Sequence, residues 1–321
     1  MVDSDQNEQV LDERACVVFD ERLTEYNFGP SHPMAPVRVK LTMELAKNLN
    51  ILDDLDIVQA QPATEDELAT VHSAKYIEQV MHLSKHPIHS EPTAGLGTED
   101  NPVFEQMHEA SALIAGASLE AAKLVWTGQR RRAVNVSGGL HHAMPNRASG
   151  FCIYNDTVAA ARAMQAEGRA RRVLVVDCDV HQGNATAQIT QGDDSIFTFS
   201  IHGEKNFPFR KIPGDLDVGL PDDTGDADYL AALEPALRTA VTRARADLVI
   251  YLAGADVHEN DRLGRLCLTK AGVGERDRLV LGLCRTAGLP VAVTMAGGYG
   301  RSLPETVAVQ LQTIQITAQL D

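Results

Sequence analysis

Short apolar runs, each ending abruptly in polar residues, recur along the chain. Ala15–Phe19, Ile57–Ala60, Ala133–Val136, Val173–Val176, Ile196–Ser200, Leu248–Leu252 and Val291–Met295 read as strands. Most stay apolar at consecutive positions instead of alternating, as strands buried on both faces do. Between them, apolar residues three and four apart predict helices over 37–49, 65–70, 73–83, 108–126, 156–167, 228–245 and 270–287. This alternation predicts a single α/β domain, with a mostly parallel central sheet and helices on both faces. Two stretches break the rhythm. Asn27–Pro36 contains three prolines, and 87–102 is rich in Gly, Pro and Thr. Loops as long as the second commonly carry function. Residues 1–14 are polar and predict a disordered tail, leaving 15–321 as the folded domain.

In folds of this kind ligands sit at the carboxyl ends of the strands, and the unusual polar residues cluster there. Val173–Val176 is followed by Asp177, Asp179 and His181, spaced two apart. If the extended chain continues, all three side chains point the same way. Buried carboxylates cost several kcal/mol unless a cation or hydrogen bonds compensate, so a bound metal ion is the economical reading, with Gly183 letting the backbone turn away. The plainer alternative is that such carboxylates cap helices. The other strand ends weigh against it. They add His141 and His142 after Ser-Gly-Gly-Leu, Asp256 after Ala-Gly-Ala, and Tyr299 after Ala-Gly-Gly. Two oxygen ligands and one nitrogen leave open positions on a zinc ion, as in a hydrolytic site. A histidine could then carry the water proton to a leaving amine, and the Tyr299 hydroxyl could stabilise an oxyanion. The chemistry this predicts is metal-assisted amide hydrolysis.

Composition narrows the setting. The 321 residues are 44% hydrophobic and 23% charged, ordinary for a globular chain. A formal net charge of −15 repels phosphate and argues against direct nucleic-acid binding, while favouring cationic partners such as lysine side chains or polyamines. No apolar run predicts a membrane span, Met1–Arg14 lacks the basic start and apolar core of a secretory signal, and the five cysteines lack metal-binding spacing. A cytoplasmic location is the expectation; the oligomeric state is left open.

The ordered motifs resemble the histone deacetylase superfamily, and within it bacterial deacetylases related to the acetoin-utilisation protein. They are Tyr-Asn-Phe-Gly-Pro-Ser-His-Pro-Met at 26–34, Gly-Thr-Glu-Asp-Asn-Pro-Val-Phe at 97–104, Gly-Gly-Leu-His-His-Ala at 138–143 and Ala-Ser-Gly-Phe-Cys at 148–152. Asp-Cys-Asp-Val-His-Gln-Gly-Asn at 177–184, Gly-Ala-Asp at 254–256, Asp-Arg-Leu-Gly at 261–264 and Gly-Gly-Tyr at 297–299 complete the set. The resemblance implies an arginase-like fold with a zinc site at the foot of a narrow tunnel. It implies Asp179, His181 and Asp256 as zinc ligands, His142 as general acid/base, His141 as its electrostatic and positioning partner, and Tyr299 as the transition-state tyrosine. Asp177 and Asn184 stand behind the histidines. Phe151, Phe207 and Leu263 line the acyl-lysine tunnel, the Gly150 carbonyl faces substrate, and Asp100 grips the substrate backbone at the rim. Arg38 belongs to a cavity beneath the site. A structural potassium ion is implied beside Asp177, Asp179, His181, Ser200 and the Ile201 carbonyl.

Departures from the family pattern fall at Gln182, where a second histidine is common, at Asn184, where an aspartate is common, at Ala185, and in His202–Pro208. A neutral amide orients an imidazole but stabilises imidazolium less than a carboxylate does. The leading expectation is a zinc-dependent lysine deacylase. Its alternatives are an acetylpolyamine amidohydrolase, a longer-chain deacylase, a two-manganese ureohydrolase and a non-catalytic acyl-lysine reader.

Overall fold

The computed structural model describes residues 15–51 and 56–319; the predicted tail at 1–14 lies outside the described residues. The strands are β1 (Ala15–Val18), β2 (Asp56–Val58), β3 (Arg132–Asn135), β4 (Val173–Asp177), β5 (Ile196–Gly203), β6 (Leu216–Leu220), β7 (Leu248–Leu252) and β8 (Val291–Thr294). They form one sheet in the order β2-β1-β3-β8-β7-β4-β5-β6, and every pairing is parallel. β3, β4, β5, β7 and β8 are buried at every position, which explains why their sequences are mostly apolar.

The helices are α1 (Val37–Asn48), α2 (Glu65–Ala69), α3 (Ala74–Lys85), α4 (Met107–Trp126), α5 (Asp156–Ala166), α6 (Asn184–Ile189), α7 (Asp226–Ala244), α8 (Lys270–Thr286) and α9 (Leu303–Gln319). One group packs in the succession α1, α9, α8, α7, and another around α4 and α5. Local chemistry sets several boundaries. Thr64 and Glu67 form a reciprocal capping box on α2, and the side chains of Ser73, Asn155 and Thr269 accept backbone N–H groups at the starts of α3, α5 and α8.

Three elements went unpredicted. β6 is an edge strand whose positions are mostly half-buried or exposed, so Asp217 and Gly219 interrupt its apolar pattern. α6 is six residues long. α9 is rich in Thr, Val and Ile, which favour strands, yet it buries Thr306, Gln310, Thr313 and Thr317. The Thr317 hydroxyl satisfies itself on the Thr313 carbonyl within the helix.

The expected continuation of β4 through His181 is a correction. The strand ends at Asp177, and the next residues curl so that Asp177 Oδ1 accepts the Asp179 N–H and Asp179 Oδ1 accepts the His181 N–H. This curl, and not strand alternation, sends Asp179 and His181 one way and Asp177 another.

Candidate active site

Four neighbouring strands in the sheet, β3, β8, β7 and β4, release their chains into one cleft. From β4 and β7 come Asp179, His181 and Asp256, whose ligand atoms all lie within 4.8 Å of one another and are buried. His181 Nδ1 is 3.0 Å from Asp179 Oδ1 and 3.2 Å from Asp256 Oδ2. Asp256 Oδ1 accepts the Val180 N–H, whereas its Oδ2 is buried with no partner in hydrogen-bond geometry. Burial alone would push His181 down; the two carboxylates override it and raise its pKa to about 10. Burial, with Asp179 beside it, raises Asp256 to about 7. The three side chains therefore hold a place for positive charge. Two carboxylate oxygens, the unpartnered Asp256 Oδ2 among them, and one imidazole nitrogen fit a zinc ion.

His141 and His142, released by β3, stand beside this group. Their Nε2 atoms are 3.1 Å apart, His141 Nδ1 is 2.6 Å from Asp177 Oδ2, and His142 Nδ1 is 2.6 Å from Asn184 Oδ1. Their electrostatics diverge. Burial opposes charge on His141, but Asp177 and Asp179 prevail and raise it to about 9. Burial and the neighbouring imidazoles push His142 well below the ordinary histidine value. A neutral His142 that donates from Nδ1 to Asn184 presents a lone pair at Nε2, as a base requires.

A cavity of about 290 Å³ opens over these groups, lined by both histidines, Asp179, His181 and Tyr299. Phe151 and Phe207 both line it. The Phe151 ring meets Tyr299 edge-on at 5.5 Å, and Phe207 meets His142 at 4.9 Å. Leu263 completes the lining, and Asp100 reaches it from the long loop, where its Oδ2 accepts the Gly150 N–H at 2.7 Å. Gly150 has φ +55°, and an added Cβ would lie 2.3 Å from the His142 ring. Phe151 also holds a left-handed φ of +66°, and the Tyr26 hydroxyl fixes it by donating to its carbonyl. Burial raises the Tyr299 phenol well above its usual value, so it is a donor. Arg38 lies beneath, its guanidinium 5.9 Å from the Tyr299 ring centroid, donating to the Ala296 carbonyl.

A profile described as the histone deacetylase domain matches residues 32–314. The chain belongs to the histone deacetylase family. Acetoin utilization protein AcuC of Staphylococcus aureus is 36% identical over 274 residues, covering 80% of this chain and 69% of that protein. An uncharacterized Picosynechococcus protein is 49% identical over 175 residues, 54% of this chain and 58% of its own length. Among solved structures, the crystal structure of the HDA15 HD domain superposes with a TM-score of 0.83 at 27% identity, covering 95% of this chain and 90% of that one. No helix among the described residues is long and apolar enough to cross a membrane.

Several residues that hold the deacetylase-family site together receive no role from the sequence, although Asp261 falls within the 261–264 motif. Asp156, at the start of α5, accepts the N–H groups of Gly139 and Leu140 and so fixes the loop before the histidines; the helix start at 156 was the one available hint. Asp261 accepts the N–H groups of Tyr299, Leu263 and Gly264. Arg276 is wholly buried on α8 and donates to the Cys178 and Gly254 carbonyls, one and two residues before the candidate ligands Asp179 and Asp256. Asp277 neutralises it and in turn accepts from Tyr251 and Thr313.

The departures resolve physically. Gln182 faces away from His181, donating to Ile212 O and Asp217 Oδ1 while accepting the Ile212 N–H. Ala185 sits inside α6, a helical setting that needs no glycine. In 202–208, Asn206 donates to Leu263 O and accepts the Arg265 N–H, tying one cavity wall to the other. Gly183 has φ −69°, so its role is corrected: a Cβ there would lie 2.4 Å from Asp177 Oδ2. Asp177 and Ser200 are register partners on β4 and β5, as a shared ion would require, though no orphaned polar side-chain atom marks the spot among the described residues.

Proposed function

We propose that this chain is a zinc-dependent deacylase that hydrolyses the amide on the ε-nitrogen of acyl-lysine, acetyl-lysine first. The observation that carries this reading is the single cavity lined by Asp179, His181, the histidine pair and Tyr299, with Asp256 completing the ligand group behind the lining. Zinc held by those three ligands would polarise the amide carbonyl and acidify a water molecule. His142 Nε2 accepts the water proton and returns it to the leaving amine. His141, held cationic by Asp177, stabilises negative charge and fixes the orientation of its neighbour. The Tyr299 hydroxyl donates to the carbonyl oxygen as that oxygen gains charge. Phe151 and Phe207 exclude water from the aliphatic lysine stem, and Asp100 presents a carboxylate where the substrate backbone emerges.

The polyamine alternative is disfavoured by Lys205 and Arg265, which line the same cavity and would repel a second ammonium group. Against a two-manganese site stands the buried Asp179–His181–Asp256 group, which supplies three ligands for a single ion. A potassium ion beside Asp177, Asp179, His181, Ser200 and the Ile201 carbonyl belongs to this reading as a structural support. So do a cytoplasmic setting and protein-borne acyl-lysine as partner.

The test is turnover of a matched acyl-lysine panel and acetylpolyamines by zinc-loaded protein, beside Tyr299→Phe. Acetyl-lysine hydrolysis that falls about 10²–10³-fold in the variant, with zinc retained, is the expected result. Preference for a longer acyl chain would revise the substrate. Silence across the panel with zinc in place would overturn the reading.

A further inference from the structure

α3 buries Tyr76, Ile77, Val80 and Leu83 and turns its polar side outward. That side carries His82, and at its end His86 and then His89, spaced i, i+4 and i+7 along one stripe. The helix stops at His86, whose backbone leaves the helical region (φ −133°, ψ 64°) ahead of Pro87. His89 nevertheless stays with the other two, because its N–H donates to the His86 carbonyl at 3.0 Å and closes a turn. All three residues are exposed. Their ring centroids form a compact triangle, 4.7 Å between His82 and His86, 5.9 Å between His86 and His89, and 6.0 Å between His82 and His89.

We infer that His82, His86 and His89 form a second metal site on the surface, for a borderline divalent transition ion of the nickel, copper or zinc kind. Coordination geometry supplies the argument. A metal lies about 2 Å from an imidazole nitrogen, hence about 3 Å from the ring centre, and ligand angles of roughly 90–110° then set ring centres about 5 Å apart. One edge of the observed triangle already meets this, and the other two exceed it by about 1 Å, a difference that χ rotation of exposed side chains closes. None of the three imidazoles has a hydrogen-bond or ion-pair partner among the described residues, so binding breaks no existing contact. An all-imidazole set selects nickel, copper and zinc over magnesium and calcium. The site is remote in chemistry from the Asp-His-Asp group, which takes its ion in a buried, anionic pocket.

Its position gives it a structural effect. The turn from His86 to His89 opens the loop that ends in Asp100 at the cavity mouth, and Glu91 pairs with Leu96 farther along it. An ion shared by α3 and this turn pins the loop at its origin.

The experiment is equilibrium dialysis of untagged, zinc-loaded protein against Ni²⁺, followed by metal analysis. One nickel per chain beyond the retained zinc is expected. That nickel should be lost in His86→Gln and in the His82→Gln/His89→Gln double variant, with zinc content unchanged. Because the three residues are exposed, these variants keep the fold, which circular dichroism checks. Nickel that fails to bind stoichiometrically, or that persists in both variants, overturns the assignment.

Discussion

Asn184→Asp tests which histidine moves the proton. His142 Nδ1 contacts Asn184 Oδ1 at 2.6 Å, and burial together with the neighbouring imidazoles holds its pKa far down. The substitution keeps the shape and replaces a neutral amide by a carboxylate. With charge centres about 4 Å apart and an effective dielectric of about 20, the attraction is about 4 kcal/mol, or about 3 pKa units. Burying a new carboxylate near Asp177 and Asp179 cancels part of this, which leaves a net rise of about 1–3 units on His142. The assay is the pH dependence of kcat/KM, which reports groups of the free enzyme, with zinc content measured at each pH. The limb governed by His142 should move to higher pH by that amount, whereas Asn184→Ala should lower the rate without an upward shift. A profile unmoved in Asn184→Asp, with zinc in place, would refute His142 as the proton carrier.

Gly150→Ala drives a methyl group to 2.3 Å from the His142 ring at a left-handed φ; stability should fall by about 1–2 kcal/mol and turnover by more than tenfold, read by thermal unfolding and kinetics. Arg276→Met strands the buried Asp277 charge and should cost about 3–5 kcal/mol. Adding Asp277→Leu should restore thermal stability while zinc affinity, measured by chelator competition, stays weakened because Cys178 and Gly254 have lost their clamp; full recovery of affinity would show that Arg276 only supports the fold. Burial lowers the pKa of His72 to about 4, and in the fold its Nε2 accepts the Asn155 N–H. A depressed folded pKa gives stability that is present above pH 6.5 and lost as pH falls through 4, about 3 kcal/mol in all. Urea titrations across that window should show the loss, and a flat profile would refute it.

The strands that build the site were legible because burial on both faces makes their sequences largely apolar, and each ends close to where its polar cargo begins. Asp179, His181, Asp256, His141, His142 and Tyr299 could be named from that placement and from the motifs; the fold brings five of them to one cavity and sets Asp256 against Asp179 and His181 behind it. Local pattern could not show the curl after Asp177, which depends on backbone N–H groups folding back on carboxylates. Nor could it show Asp156, Asp261 and Arg276, which look like ordinary helix and loop charges until distant backbone is folded against them. α9 was hidden for the opposite reason: its Thr, Val and Ile prefer strands in isolation, and packing against α1 and α8 overrides them.

The histidine pair, the Asp179–His181–Asp256 group and Tyr299 all leave the carboxyl rim of the sheet, and the opposite rim carries helix-to-strand connections such as 127–131, 167–172, 190–195, 245–247 and 287–290. The protein is thus divisible into a working end and a mounting end. A chain reopened at Gly168, where the space around the α-carbon is empty, or fitted there with a reporter domain, keeps all four delivering strands and the loops that follow them. An insertion of the same length between 253 and 263 separates Asp256 from its partners. This asymmetry makes the amino rim the place to attach the molecule to a surface, a label or a second enzyme without disturbing catalysis.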